Sequence, residues 1–101
     1  MAWVYILRCA DQSLYVGSTR DLEARVAQHA RGLGGEYTSR RLPVTLVWAQ
    51  EYDRIDEAWA MERRLHGWSR AKREALIAGE IELLRGYSVR NRKERRSAVD
   101  D

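Results

Sequence analysis

The sequence has little of what several classes of protein require. It contains one cysteine, Cys9, in 101 residues, so an internal disulfide cannot form and the disulfide-stapled secreted folds are excluded. Its apolar runs are shorter than a membrane span, and the N-terminus lacks a charged leader followed by an apolar block. These absences predict a protein of the reducing cytoplasm that has no membrane partner.

Phosphate-binding glycine motifs are absent as well. Neither a Gly-x-Gly-x-x-Gly turn nor a Gly-Lys-Ser/Thr loop occurs, so we expect no nucleotide-binding fold and no organic cofactor. The sequence has no internal repeats. With 45% apolar residues in 101, the chain predicts one small domain with one core.

The basic charge is concentrated in the C-terminal half. Residues 1–53 hold six Lys/Arg and six Asp/Glu, whereas residues 54–101 hold twelve and nine. This bias suits a polyanionic partner. We expect a domain over residues 1–84, followed by a basic, mobile tail over residues 85–101.

Two short β-rich runs open the chain, and each contains a tyrosine, Tyr5 or Tyr15. The polar break Asp11-Gln12-Ser13 between them is short enough to close a hairpin. Gly17 ends the second run. The pattern predicts an antiparallel pair that brings Tyr5 and Tyr15 near one another.

Helical spacing follows the hairpin. It predicts a helix over residues 20–31, capped by Ser18 or Thr19, whose apolar stripe ends at Leu33. A glycine-rich loop then continues to Arg41.

Residues 44–52 predict a third strand, and residues 55–69 a second helix capped by Asp53 or Asp56. A third helix over residues 71–78 completes the order strand, strand, helix, strand, helix, helix. This order predicts an α+β domain with a small, three-stranded, largely antiparallel sheet flanked by helices.

Arg25 and His29 lie four residues apart, on one face of the first helix and beside its apolar stripe. This position can aim Arg25 at a site formed by the neighbouring strand ends. Two simpler interpretations remain open: an arginine whose stem lies along the core, and a partly buried helix histidine.

Glu62 occupies the apolar stripe of the second helix, between Ala58 and Leu65. A lone carboxylate that faces a core costs several kcal/mol unless it is paired, protonated or bound to a metal. A salt bridge to Arg25 would also satisfy it. At helical spacing, Trp59 is expected in the core rather than as a platform for nucleic acid bases.

Taken together, these positions resemble the GIY-YIG nuclease superfamily. The residues that carry the resemblance are Val4-Tyr5, Tyr15-Val16-Gly17, Leu22-x-x-Arg25-x-x-x-His29, Thr38 and Glu62. The resemblance covers about residues 2–80. It is closest to the small, single-domain, uncharacterised (UPF0213-like) bacterial members.

The resemblance implies hydrolysis of DNA phosphodiesters with one divalent metal, in structured or damaged DNA. By position, Glu62 is similar to the glutamate that binds one Mg²⁺ or Mn²⁺, and Arg25 to the arginine that stabilises charge on the scissile phosphate. Tyr15 matches the proposed general base. Tyr5 matches the tyrosine that positions the phosphate or water, and His29 matches a residue that supports the nucleophile.

Three positions depart from the family pattern. Trp3 stands where the first motif has glycine, and Ser18 stands where some repair nucleases carry a lysine. The asparagine seen downstream in several active members has no counterpart near the third helix, because Asn91 lies too far along the chain.

Further basic residues are candidates for phosphate contacts that fix the position of DNA. Each is also compatible with an ordinary solvated surface. The candidates are Arg40, Arg41, Lys72, Arg73, Arg92 and Lys93.

The sequence therefore leaves three functions open. The first is a metal-dependent DNA endonuclease, the second is a nucleic-acid-binding module without useful catalysis, and the third is an interaction scaffold that reuses the fold. The oligomeric state is also open.

Overall fold

The computed structural model describes residues 1–79 and divides the chain into two compact units, one over Met1–Gly67 and a second that begins at Trp68. The predicted domain boundary at residue 84 and the predicted tail over residues 85–101 lie outside the described residues. The first unit contains β1 (Ala2–Arg8), β2 (Leu14–Thr19), α1 (Leu22–Ala30), α2 (Glu36–Ser39), β3 (Thr45–Tyr52) and α3 (Ile55–His66). The second contains α4 (Arg70–Ile77).

The sheet has the order β2-β1-β3, and both strand pairs are antiparallel. Side chains alternate along β1, so Val4 and Ile6 point to one face of the sheet while Tyr5 and Leu7 point to the other. All four are buried, so both faces of the central strand are covered. Helix α3 packs against all three strands and α1 packs against β1. The predicted α+β fold with an antiparallel three-stranded sheet is confirmed.

The hairpin between β1 and β2 closes where the polar break predicts it. The Cys9 amide donates to the Ser13 carbonyl at 2.9 Å, and Gln12 takes a left-handed φ of 72°. The Asp11 carboxylate accepts from both the amide and the hydroxyl of Ser13, at 3.0 and 2.6 Å. A side chain that bonds its own turn in this way fixes the strand register.

The predicted cap of the first helix is wrong. Ser18 and Thr19 belong to β2, because Thr19 still pairs with Trp3 across the sheet. The helix begins at Leu22, two residues later than predicted, and its cap is Asp21, whose carboxylate accepts from the Ala24 amide at 3.1 Å.

The predicted cap of α3 is also wrong. Arg54 occupies the cap position, and its amide donates to the Glu57 carboxylate at 3.3 Å. Asp56 instead accepts from the Arg54 guanidinium at 2.9 and 3.0 Å.

Two apolar residues expected on buried stripes are exposed. Leu33 is 68% exposed and Trp59 is 54% exposed, whereas Ala58 and Leu65 of α3 are completely buried. Ala58 and Leu65 are seven residues apart and lie on one line along the helix. The sheet covers this narrow line, and Trp59, about 100° further around the helix, lies outside it.

Helix α4 matches the third predicted helix closely. At the start of α4, the Ser69 hydroxyl accepts from the Lys72 amide at 3.2 Å. Gly79, at a φ of 79°, follows the end of the helix.

Within residues 1–79, none of the helices has the length and apolar character needed to cross a membrane.

Leu65→Ala is expected to lower the free energy of unfolding by about 2–5 kcal/mol, since it removes a fully buried side chain and leaves a cavity. Leu33→Ala is the matched control, because its side chain is largely exposed, and its effect should stay within about 0.5 kcal/mol. Urea denaturation of the two variants measures both values. Equal losses would contradict the position of Leu65 in the core.

Candidate active site

Three of the predicted catalytic side chains meet in one aromatic cluster. The ring centroids of Tyr5 and Tyr15 are 6.4 Å apart, and that of His29 lies 5.7 Å from Tyr5 and 5.2 Å from Tyr15. The fourth ring, Tyr37 of α2, stacks on Tyr15 at 6.0 Å and 28°. The hairpin therefore supplies two tyrosines, α1 supplies the histidine, and α2 closes the cluster.

Gly17 allows Tyr5 to enter this cluster. The two residues pair directly across the β1–β2 ladder. A Cβ atom added to Gly17 would lie 2.6 Å from the Tyr5 hydroxyl and 3.2 Å from the Tyr15 ring. Such an atom would overlap the phenol, so the glycine of the second motif is required for close packing of the first tyrosine.

A buried chain of hydrogen bonds holds Tyr5 in place. Its hydroxyl lies 3.0 Å from His29 Nε2, and His29 Nδ1 lies 2.8 Å from the Thr38 hydroxyl. All three side chains are almost completely buried. Either neutral tautomer of His29 satisfies both of its ring nitrogens. Thr38 lies in a segment predicted as loop, and its place in the family pattern was its only signal in the sequence.

Burial keeps the Tyr5–His29 pair uncharged near neutral pH. Burial raises the pKa of Tyr5 above its usual value of 10, although hydrogen bonding by Arg25 acts in the opposite direction. Burial also lowers the pKa of His29 below 6.5, and the positive charge of Arg25 adds to this effect. Tyr5 is therefore a neutral phenol and His29 a neutral imidazole at pH 7.

Arg25 lies beside the cluster and is fixed by its own loop. Its guanidinium donates to the Gln28 side chain at 2.9 Å and to the Gly34 carbonyl at 3.0 Å. Gly34 in turn packs so closely on the His29 ring that a side chain there would collide with it. Arg25 forms no ion pair with Glu62, so the salt bridge considered from the sequence is absent from the described residues.

Glu62 reaches the site from α3 and is held by a neutral donor. Its Oε1 accepts from the Ser18 hydroxyl at 2.6 Å, and its Oε2 lies 3.4 Å from Nε2 of His66. The side chain is 28% exposed, and within residues 1–79 neither lysine nor arginine pairs with it. Ser18 directly follows Gly17, so the hydrogen bond ties Glu62 to the edge of the tyrosine cluster.

The surroundings of Glu62 fit a hard divalent ion with one protein ligand. Residues 1–79 contain no cluster of three or more His, Cys, Asp or Glu side chains that could hold a metal ion. A single carboxylate with several waters is a usual first shell for Mg²⁺. Because this partly exposed carboxylate pairs with neither a lysine nor an arginine in the described chain, it is available to such an ion.

Three of the basic residues predicted to contact DNA have partners within the described part of the chain. Arg40 pairs with Glu36 at 2.6 Å, and Arg41 pairs with Asp11 at 3.1 Å and lies 3.8 Å above the Tyr37 ring. In the second unit, Lys72 lies 4.8 Å above the Trp68 ring, and burial lowers its pKa.

Arg73 is half-buried on α4. Arg92 and Lys93 lie outside the described residues. The predicted phosphate contacts of all six basic residues therefore stay predictions.

Gly17→Ala should destabilise the protein by about 1–3 kcal/mol, because the new methyl group displaces the Tyr5 ring. Gly67→Ala is the matched control: its Cβ would lie 3.5 Å from the Arg64 carbonyl, an ordinary contact. Urea denaturation and the near-ultraviolet circular dichroism of the aromatic cluster follow both variants. A Gly17→Ala protein as stable as the Gly67→Ala control would show that the cluster does not need the glycine.

The free energy of unfolding should fall as the pH drops from about 7 to about 5. The unfolded chain binds a proton at His29 below its ordinary pKa of about 6.5, whereas the folded chain resists it until a lower pH. Denaturation at a series of pH values measures the slope. His29→Gln should flatten this slope, and His66→Gln, at an exposed histidine, should retain it; equal slopes in the two variants would contradict the buried neutral state of His29.

Comparison with known proteins identifies the family of the chain. The family model described as the GIY-YIG catalytic domain matches residues 1–75. A UPF0213 protein of Natronomonas pharaonis is 45% identical over 77% of this chain and 92% of its own length. One from Staphylococcus aureus is 43% identical over 74% and 92% of the two chains.

A solved structure shows the same relationship. The solution NMR structure of a UPF0213 protein from Bacillus halodurans is 39% identical, with a TM-score of 0.52, and the match covers 77% of this chain and 84% of that one. The range matched by the family model spans the hairpin, α1, α2, β3 and α3. The chain belongs to the GIY-YIG family, and its relatives are the small UPF0213 proteins.

Proposed function

We propose that this protein is an endonuclease that hydrolyses DNA phosphodiesters with the help of one Mg²⁺ or Mn²⁺ ion. The observation that carries the proposal is the position of Glu62. It is a carboxylate without a lysine or arginine partner in the described chain, and neutral Ser18 holds it at the edge of the Tyr5–Tyr15–His29 cluster. Family membership supports a nucleic acid substrate. Structured or damaged DNA is the substrate class that we propose, which assigns the protein to DNA repair or processing.

Tyr15 is the tyrosine that can reach a substrate. It is half-exposed, whereas Tyr5 is 1% exposed and its raised pKa keeps it protonated. We assign Tyr15 as the acceptor of the proton of the attacking water. A phenol is a weak base at pH 7 and needs positive charge nearby, which Arg25 and the proposed metal ion would supply.

Tyr5 and His29 act through Tyr15. Both are buried and neutral, and both rings contact the Tyr15 ring. They are positioning residues that fix the angle of the Tyr15 phenol, and neither touches the phosphate.

Arg25 binds the scissile phosphate in this proposal. Gln28, Gly34 and the Tyr5 phenol occupy part of its five N–H donors, and the remaining donors can bind non-bridging oxygens. Because its side chain is half-buried, the charge is screened less than in water. Glu62 would hold the metal ion, which supplies further positive charge for the phosphate oxygens and the leaving group.

Glu62→Gln and Arg25→Ala should each lower DNA cleavage by about 100-fold or more, since each removes a charged group from the transition state. A panel of flap, bulge and junction DNAs with Mg²⁺ or Mn²⁺ measures the rates. Glu23→Gln and Arg31→Ala, which change exposed residues of α1 and its C-terminal cap, are the matched controls and should cleave as the wild type does.

Three outcomes would contradict the proposal. Cleavage that survives both site substitutions would come from another site or from a contaminant. Binding to DNA that is sensitive to salt, indifferent to metal and accompanied by no cleavage would favour a binding module instead. Absence of both binding and cleavage would favour an interaction scaffold.

A further inference from the structure

One exposed pocket lies next to the proposed site, on the side of α3 that the sheet leaves uncovered. Trp59, Glu62, Arg63 and His66 line it, and its volume is about 260 Å³. These positions follow the i, i+3, i+4 and i+7 spacing of one helix face. Glu62 therefore belongs both to this pocket and to the edge of the tyrosine cluster, through Ser18.

Trp59 is the most exposed aromatic side chain among residues 1–79, at 54%. The other exposed aromatic residue, Tyr37, is stacked on Tyr15 and lies under Arg41. Within the described part of the chain, the Trp59 ring has neither a stacked ring nor a cation above it. An indole that a folded protein leaves open in a pocket is suited to contact with a partner.

We propose that this pocket, the Trp59 pocket, receives a single unpaired nucleotide of a DNA substrate. The base stacks on Trp59, and Arg63 contacts the adjoining phosphate. The substrate class is then DNA with an extrahelical or unpaired nucleotide next to the cleaved phosphodiester. The identity of the ligand as DNA rests on the proposed function.

Size and chemistry favour one base over a base pair. A pocket of about 260 Å³ is at the small end of ligand sites, which suits one flat ring system. Stacking on an aromatic side chain tolerates every base, because each has a π face. A paired base is already stacked in its duplex and would have to be extracted, whereas an unpaired base is available at little cost.

Glu62 lines the pocket, so a nucleotide stacked on Trp59 would lie beside the carboxylate that we propose as the metal ligand. A phosphodiester repels a carboxylate, so the backbone beside the stacked base approaches Glu62 favourably only with a cation nearby. Arg63, the next residue of α3, supplies this positive charge even without a bound metal ion, and the ion proposed for Glu62 adds to it during catalysis. Binding of an unpaired nucleotide would thereby align the adjacent phosphate with Glu62.

The test is binding of the full chain to two fluorescein-labelled DNA hairpins that differ by one bulged nucleotide. Fluorescence anisotropy in EDTA measures affinity without cleavage. The wild type should bind the bulged hairpin about tenfold more tightly, within the range that stacking of one base contributes. Trp59→Ala should remove this preference and bind the unbulged hairpin within about twofold of the wild type, whereas Trp59→Phe should retain part of it.

A second readout separates stacking from a merely structural effect. With 2-aminopurine as the bulged base, stacking on Trp59 should quench its fluorescence in the wild type and not in Trp59→Ala. Leu46→Ala, which truncates an exposed apolar residue of β3 away from the pocket, is the control and should retain both the quenching and the preference.

The outcomes also separate this inference from the proposed endonuclease activity. Equal affinity of the wild type for the two hairpins, failure to bind either, or a preference that survives Trp59→Ala would overturn the inference. A Trp59-dependent preference would support it even if Glu62→Gln left cleavage unchanged, a result that would contradict only the proposed active site.

Discussion

The packing of Tyr5 across Gly17 is the constraint on which the rest of the site depends. It places the Tyr5 hydroxyl inside the core, where an unpaired polar group would cost about 1–3 kcal/mol. His29 of α1 and Thr38 of α2 satisfy it in one buried chain. A side-chain hydrogen-bond network of this kind connects the central strand to both helices, so their positions are fixed together.

The same chain also determines where Arg25 lies. His29 packs on Gly34, and the Gly34 carbonyl accepts a hydrogen bond from the Arg25 guanidinium. A change at His29 would therefore move the arginine as well as the tyrosines. Buried neutral groups fix the geometry, whereas the side chains of Tyr15 and Arg25 are only partly buried. Under the proposed function these two side chains would face the substrate, and His29, whose pKa is lowered by burial, would support them without exchanging protons.

The sequence predicted the sheet, the order of its strands along the chain and three of the helices, because these follow from β-rich runs and helical spacing. Element ends depended on contacts that periodicity does not contain. Ser18 and Thr19 have good capping side chains, but pairing with Trp3 extends β2 through both. Periodicity also cannot show how wide a stripe the sheet covers, so Trp59 and Leu33 were placed on buried stripes although both are exposed.

For the site, the family pattern supplied the candidate residues, and the structure shows which of them are buried. Sequence alone cannot distinguish Tyr5 and His29 from Tyr15, since only burial separates the two enclosed side chains from the accessible one. Short α2 was predicted as loop because four residues are too few to show a helical period. Its Thr38 therefore had no structural signal, although it completes the buried chain.

Ser18 shows how a departure from the family pattern changes the electrostatics of the site. Some repair nucleases carry a lysine at this position, and an ammonium group there would offer Glu62 a salt bridge. A serine hydroxyl instead donates one neutral hydrogen bond at 2.6 Å, which orients the carboxylate without neutralising it. The net charge around Glu62 is then more negative, so binding of a cation gains more Coulomb energy. In the proposed endonuclease, the metal ion and Arg25 would neutralise the phosphate in place of the missing lysine.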